Sequence, residues 1–124
     1  MLDFIRIACA VPAVKVGDVE KNTADICAYM EKADAANADL VVFPELALTG
    51  YSCGDLFFQS ALLREALSGL KEICSFSENV SSAVAVGMPL SLKGRLYNCG
   101  VVICDGEITA WAFSAGTVMT PMRT

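Results

Sequence analysis

Leu40-Val41-Val42-Phe43 is an unbroken β-prone apolar run closed by Pro44. A strand that is apolar on both faces belongs in a parallel sheet covered on both sides; a half-exposed antiparallel strand would alternate apolar and polar residues. Parallel neighbours need a crossover, and the residues upstream supply one. Ile5 to Val11 is a second short apolar run, closed by Pro12. Between the two, Gly17-Asp18 offers a turn and an N-cap. Val19, Thr23, Ile26, Cys27, Met30 and Ala33 or Asp34 follow at helical spacing to about Ala36, with Asn37 as the stop. Strand, helix and strand make a βαβ unit, which commits the chain to the α/β class.

The pattern resumes after a loop from Glu45 to Gly54 that Gly50 and Gly54 punctuate. Leu62, Leu63, Ala66, Leu67, Leu70, Ile73 and Cys74 mark a second helix. Ser81 to Met88 reads as a third strand ended by Pro89. Leu96 to Cys104 and Ile108 to Phe113 flank Asp105-Gly106, a dipeptide suited to the positive φ angles of a tight hairpin. The expected order is therefore β-α-β-α-β-β-β, without an internal repeat, low-complexity tract or flexible linker.

A length of 124 residues suits one small domain or a piece of a larger one. The 55% hydrophobic content and mean hydropathy of +0.52 leave two readings open, an internal α/β core or a surface that meets a partner. No stretch reaches the roughly 18 apolar residues that span a bilayer. The start, Met1-Leu2-Asp3-Phe4, has no basic leader before an apolar core, so a cytoplasmic location and no membrane partner are expected. Nine basic residues against 14 acidic ones give a net charge of −5, which argues against a nucleic-acid partner. The six cysteines include no CxxC pair, so neither a zinc site nor a disulfide framework is expected. The chain contains no histidine. Ser-His and Cys-His catalysis are thereby excluded, and acid–base chemistry must rest on carboxylates, lysine or tyrosine.

One carboxylate stands where such chemistry is commonly built. Glu45 follows the strand Leu40–Phe43 and Pro44 directly, and residues just past the carboxyl end of a parallel strand line the ligand crevice of α/β folds. Its neighbours Phe43, Leu46 and Leu48 are apolar, so the carboxylate is expected in a cavity from which water is largely kept out. By position alone, a glutamate here more often caps a turn or points to solvent. The surrounding residues change that balance. Phe43-Pro44-Glu45-Leu46-Ala47-Leu48-Thr49-Gly50-Tyr51 resembles the glutamate motif of the nitrilase superfamily, the carbon–nitrogen hydrolases. The continuation Ser52-Cys53-Gly54-Asp55-Leu56-Phe57-Phe58-Gln59 is similar to the N-terminal glutaminase domains of glutamine-dependent NAD synthetases. Gly87-Met88-Pro89-Leu90 and Gly94-Arg95-Leu96-Tyr97-Asn98-Cys99 fit the same group in the same order.

The resemblance implies a nitrilase-like α-β-β-α sandwich, of which this chain is the N-terminal portion, and a Glu-Lys-Cys mechanism. A cysteine thiolate attacks the side-chain amide of glutamine, giving a thioester and ammonia, and water then releases glutamate. Matched position by position, Glu45 takes the general-base role. Tyr51 matches a tyrosine that lines the glutamine pocket, with a packing role left open. Asn98 fits a strand asparagine that supports the site without reacting. The implied partners are glutamine, a synthetase domain in the same or another chain, and further copies in a homo-oligomer. No cofactor is implied for these residues; ATP and magnesium belong to the synthetase domain.

The match covers residues 3 to 108, and 109–124 reads as a divergent tail. Where the family continues with a proline-lysine pair, this chain has Ser114, and no lysine follows Lys93. Lys93 sits beside Gly94 in an expected surface turn, and Cys53 is a variable filler position of the motif. None of the six cysteines stands in the context of the family's nucleophile. A truncated or frame-shifted chain, inactive alone, is the expectation. The alternatives are another nitrilase-type amidase or carbamoylase, and a catalytically dead fragment acting as a structural or interaction module.

Overall fold

The structure, a computed structural model, describes residues 4–50 and 60–119. In chain order the elements are β1 (Ile7–Cys9), α1 (Val19–Ala35), β2 (Leu40–Val42), α2 (Ser60–Ser77), β3 (Ala83–Leu92), β4 (Arg95–Cys104) and β5 (Glu107–Met119). They build one five-stranded sheet in the order β1-β2-β3-β4-β5. The first three strands are parallel, joined through α1 and α2; β3, β4 and β5 are antiparallel. The fold is the mixed α/β arrangement expected from the alternating pattern.

Each helix starts and packs for a local reason. The Asp18 side chain accepts the Lys21 N–H at 3.1 Å and so caps α1. Val19, Ile26, Met30 and Ala33 repeat every three or four residues and are buried, as are Leu62, Ala66, Leu70 and Ile73 of α2. These two stripes pack against Val41 of β2, Val84, Val86 and Met88 of β3, and Val101 and Ile103 of β4. Burial of each such aliphatic side chain contributes about 1.5–3 kcal/mol before entropy is counted.

The strand alternation sends the next residues to the opposite face. There Ile7 is 50% exposed, Cys9 and Ala112 are exposed, and Val42, Ala85 and Val102 are half-buried. No described element covers this face. Both hairpins turn on two residues with positive φ, Lys93-Gly94 (51° and 77°) and Asp105-Gly106 (50° and 79°), the geometry that matches strand twist.

Pro89 does not end β3 as the sequence suggests. It pairs with Asn98 of β4 inside a strand that runs to Leu92. The reason lies in which side its missing N–H faces. The carbonyls of Ala85 and Gly87 point away from β4, accepting from Phe43 and Leu48 N–H groups. Two residues on, Pro89 faces the same way, and β2 pairs no further than Ala85, so no ladder bond is lost.

Candidate active site

Glu45 opens a tight turn at the carboxyl end of β2. The turn is closed by the N–H groups of Thr49 and Gly50, which donate to the Leu46 carbonyl at 3.2 and 2.8 Å. Leu46 has φ 55° and Gly50 φ 91°, so the chain reverses within a few residues. Leu46, Ala47 and Leu48 are buried at 3%, 1% and 0% exposure, which drives the turn into the helix side of the sheet. Gly87 lets it come close. A Cβ built there would stand 2.5 Å from the Leu46 nitrogen and 3.0 Å from the Glu45 Cα, both backbone atoms. Here the glycine is required by the close approach of two backbones.

Asn98 comes to this point from the neighbouring strand. It is 5% exposed, and its Nδ2 donates to Glu45 Oε1. The two residues, 53 apart in sequence, share a cleft of about 340 Å³ with Val42, Pro44, Gly87 and Gly100. The expectation of a water-excluding cavity is corrected: Glu45 is exposed. Phe43, Leu46 and Leu48 are buried in the helix-side core. The cleft opens on the face that no described element covers. The carboxylate is therefore fixed by the turn and by Asn98, not by desolvation.

Tyr51 and Cys53 lie outside the described residues. Lys93 is exposed at the β3–β4 hairpin tip and does not line the cleft, in keeping with a surface turn. At Ser114 the backbone continues β5. Cys99, beside Asn98, is 2% exposed, and burial pushes its thiol up to about 11. Such a thiol is protonated at neutral pH and is no nucleophile. Among the described residues no three His, Cys, Asp or Glu side chains gather as a metal site, and no helix is long and apolar enough to cross a membrane. The sequence reading does not single out the clearance role of Gly87, although its segment belongs to the matched motifs. A glycine amid the apolar run Ala83–Met88 is the available signal, since strand glycines mark close backbone approach.

The carbon-nitrogen hydrolase family model matches residues 6–114. The chain belongs to the carbon-nitrogen hydrolases. Among curated relatives, the glutamine-dependent NAD(+) synthetase of Xylella fastidiosa (strain Temecula1) is 37% identical over 109 residues, covering 87% of this chain and 20% of that protein. That of Mycobacterium tuberculosis (strain H37Rv) is 33% identical over 105 residues, 85% of this chain and 16% of the relative. This carbon-nitrogen hydrolase chain thus spans about a fifth of the length of the curated relatives it matches. Among solved structures, the glutamine-dependent NAD(+) synthetase from Cytophaga hutchinsonii superposes with a TM-score of 0.82 at 30% identity, over 89% of this chain and 19% of that one. An amidase from Nesterenkonia sp. superposes with a TM-score of 0.79 at 18% identity, over 97% of this chain and 49% of that one, a likeness of fold.

Proposed function

We propose that this chain carries the general-base part of a glutamine-hydrolysing site that supplies ammonia for NAD synthesis. The observation that carries the reading is the Asn98–Glu45 hydrogen bond at the carboxyl end of β2. With Oε1 held by an amide donor, Oε2 is left to take a proton from the attacking thiol, and the carboxylate pays little reorganisation when it does. The thiolate then adds to the amide carbon of glutamine, Glu45 passes the proton to the amide nitrogen as the C–N bond breaks, ammonia leaves, and water cleaves the thioester. The likeness to glutamine-dependent NAD(+) synthetases supports glutamine as the amide and a synthetase domain, using ATP and magnesium, as the consumer of ammonia. The lysine and cysteine of this mechanism have no counterpart at matching positions here, so the isolated chain is expected to be silent.

The test is ammonia release from glutamine by the 124-residue chain, by the longer gene product, and by its Glu45→Gln variant. We expect no release from the chain, turnover by the longer product, and a drop of about 10²–10⁴-fold in kcat for Glu45→Gln. Full activity in Glu45→Gln would remove Glu45 from the reaction. Turnover of simple amides or carbamoyl compounds in preference to glutamine would shift the assignment to an amidase or carbamoylase.

A further inference from the structure

Asn22 is 2% exposed in the first turns of α1, a helix whose other buried side chains, Thr23 apart, are apolar. Asparagine is a poor helix former, and an apolar residue of similar shape would fit the surrounding core. Its hydrogen bonds explain its presence, and all three leave the helix. Oδ1 accepts the Lys15 N–H at 2.8 Å. Nδ2 donates to the Lys15 carbonyl at 2.8 Å and to the Leu48 carbonyl at 3.0 Å. Both amide hydrogens are thereby used. Leu48 belongs to the turn that Glu45 opens, and it is fully buried.

The segment before α1 lies against the same turn at two further points. The Gly17 N–H donates to the Thr49 carbonyl at 2.8 Å. A Cβ built on Gly50 would stand 3.0 Å from the Val16 Cα, so the two backbones run in contact. The inner side of the turn is otherwise greasy. The Leu46, Ala47 and Leu48 side chains fill space without direction. Toward the sheet the Leu48 N–H donates to the Gly87 carbonyl at 3.3 Å. Toward α1 the Leu48 carbonyl accepts from Asn22, so the one residue is held from both sides.

We propose that Asn22 is a positioning residue for Glu45: it locks the 13–17 segment and the Glu45 turn into one unit, which fixes where the carboxylate meets Asn98. Its removal leaves the buried Leu48 carbonyl without that donor and frees the Lys15 N–H and carbonyl of the 13–17 segment, so the loss falls on the turn and on the segment beside it. This inference rests on the reading of Glu45 as the general base, but its test involves no turnover and fails or succeeds independently of glutamine hydrolysis.

The experiment follows the isotope-labelled chain by NMR, recording the Asn98 carboxamide resonances and amide hydrogen exchange in wild type, Asn22→Leu and Glu45→Ala. In Asn22→Leu the Asn98 carboxamide signals should move to their positions in Glu45→Ala. The Leu48, Thr49 and Gly50 amides should exchange roughly tenfold or more faster, while amides of α2 and the β3–β4 ladder stay within about twofold. Unchanged Asn98 signals overturn the proposal, as does uniform acceleration of exchange, which would mark a residue supporting the whole fold. If Asn22→Leu does not fold, Asn22→Asp decides. It keeps an acceptor for the Lys15 N–H, lacks both donors, and should show the same selective change. Unfolding of both variants overturns the proposal too, because Asn22 would then hold the molecule and not the turn.

Discussion

Neighbouring residues on β4 show how alternation separates two chemistries. The Asn98 carboxamide meets Glu45 in the open cleft, whereas the next residue, Cys99, turns to the core side with Val101 and Ile103. Burial raises the Cys99 thiol to about 11; Cys27 is also raised to about 11, by burial first and by the Glu72 carboxylate second. Both cysteines are more basic folded than at their ordinary value of 9.0, so folding favours the thiol over the thiolate. The stability this contributes is complete below pH 9 and is lost as pH rises from 9 through 11. We expect the urea midpoint to fall across that window, and Cys27→Ala/Cys99→Ala to flatten the fall. In alkylation at pH 8 followed by mass spectrometry, the exposed Cys9 should react well before Cys99. Early modification of Cys99 would show that it is accessible and ionised. Glu45 was legible because a proline and a strand end mark its position. Asn98 entered through the family resemblance as a support of the site, but its bond to Glu45 was not legible, because a contact between residues 53 apart depends on β4 lying next to β3, which no local pattern encodes.

Helix α1 meets helix α2 where Gly69 removes a side chain from the contact. A Cβ there would stand 2.5 Å from Thr23 Oγ1, 3.0 Å from Val19 Cγ1 and 3.2 Å from Leu48 Cδ2. The Thr23 hydroxyl is buried without a hydrogen-bond partner among the described residues, so it contributes shape and no bond. Gly69→Ala should therefore destabilise the chain by about 1–3 kcal/mol through overpacking. In a Thr23→Ala background, where the nearest atom is gone, that cost should shrink by about 0.5 kcal/mol or more. A urea-unfolding cycle of the four variants measures the coupling. Equal costs in both backgrounds would assign the clash to Val19 and Leu48 instead. Both helices were legible from their three-and-four spacing, because one sheet face takes up their apolar stripes. Asn22 was not legible: it lies on the buried side beside Val19 and Thr23, but periodicity counts apolar residues and passes over a buried amide. The length of β3 was misread at Pro89 because only the finished sheet shows which edge lacks a neighbour. Strand β5 reaches Met119 for a similar reason: its outer part pairs with Leu96 and Tyr97 across a register shift, a tertiary event.

At the scale of the molecule, the helices cover one face of a sheet whose strands are apolar on both. The run Leu40–Phe43 anticipates a sheet covered on both sides; among the described residues only one side is covered, which explains why a 55% hydrophobic chain carries so much of its apolar surface outside. On β1 and its flanks, Ile5, Ile7 and Val11 are 71%, 50% and 77% exposed; at the other edge Trp111 and Phe113 are 42% and 45% exposed. Exposed apolar side chains at both edges of the sheet, with β5 as an edge strand, favour association. Opposing it is a net charge of −5, whose repulsion salt screens within about 10 Å at 0.1 M. The isolated chain should therefore associate with itself, and more strongly as salt is raised, because screening removes the repulsion and leaves the apolar contact untouched. Sedimentation velocity at rising protein and salt concentrations reads both effects. An Ile7→Lys/Val11→Lys variant should shift the distribution toward monomer with an unchanged urea midpoint, since neither side chain is buried in the single chain. A monomer at every concentration and salt level would mean that the open face is not sticky enough to pair. Association that weakens with salt would assign the contact to charge.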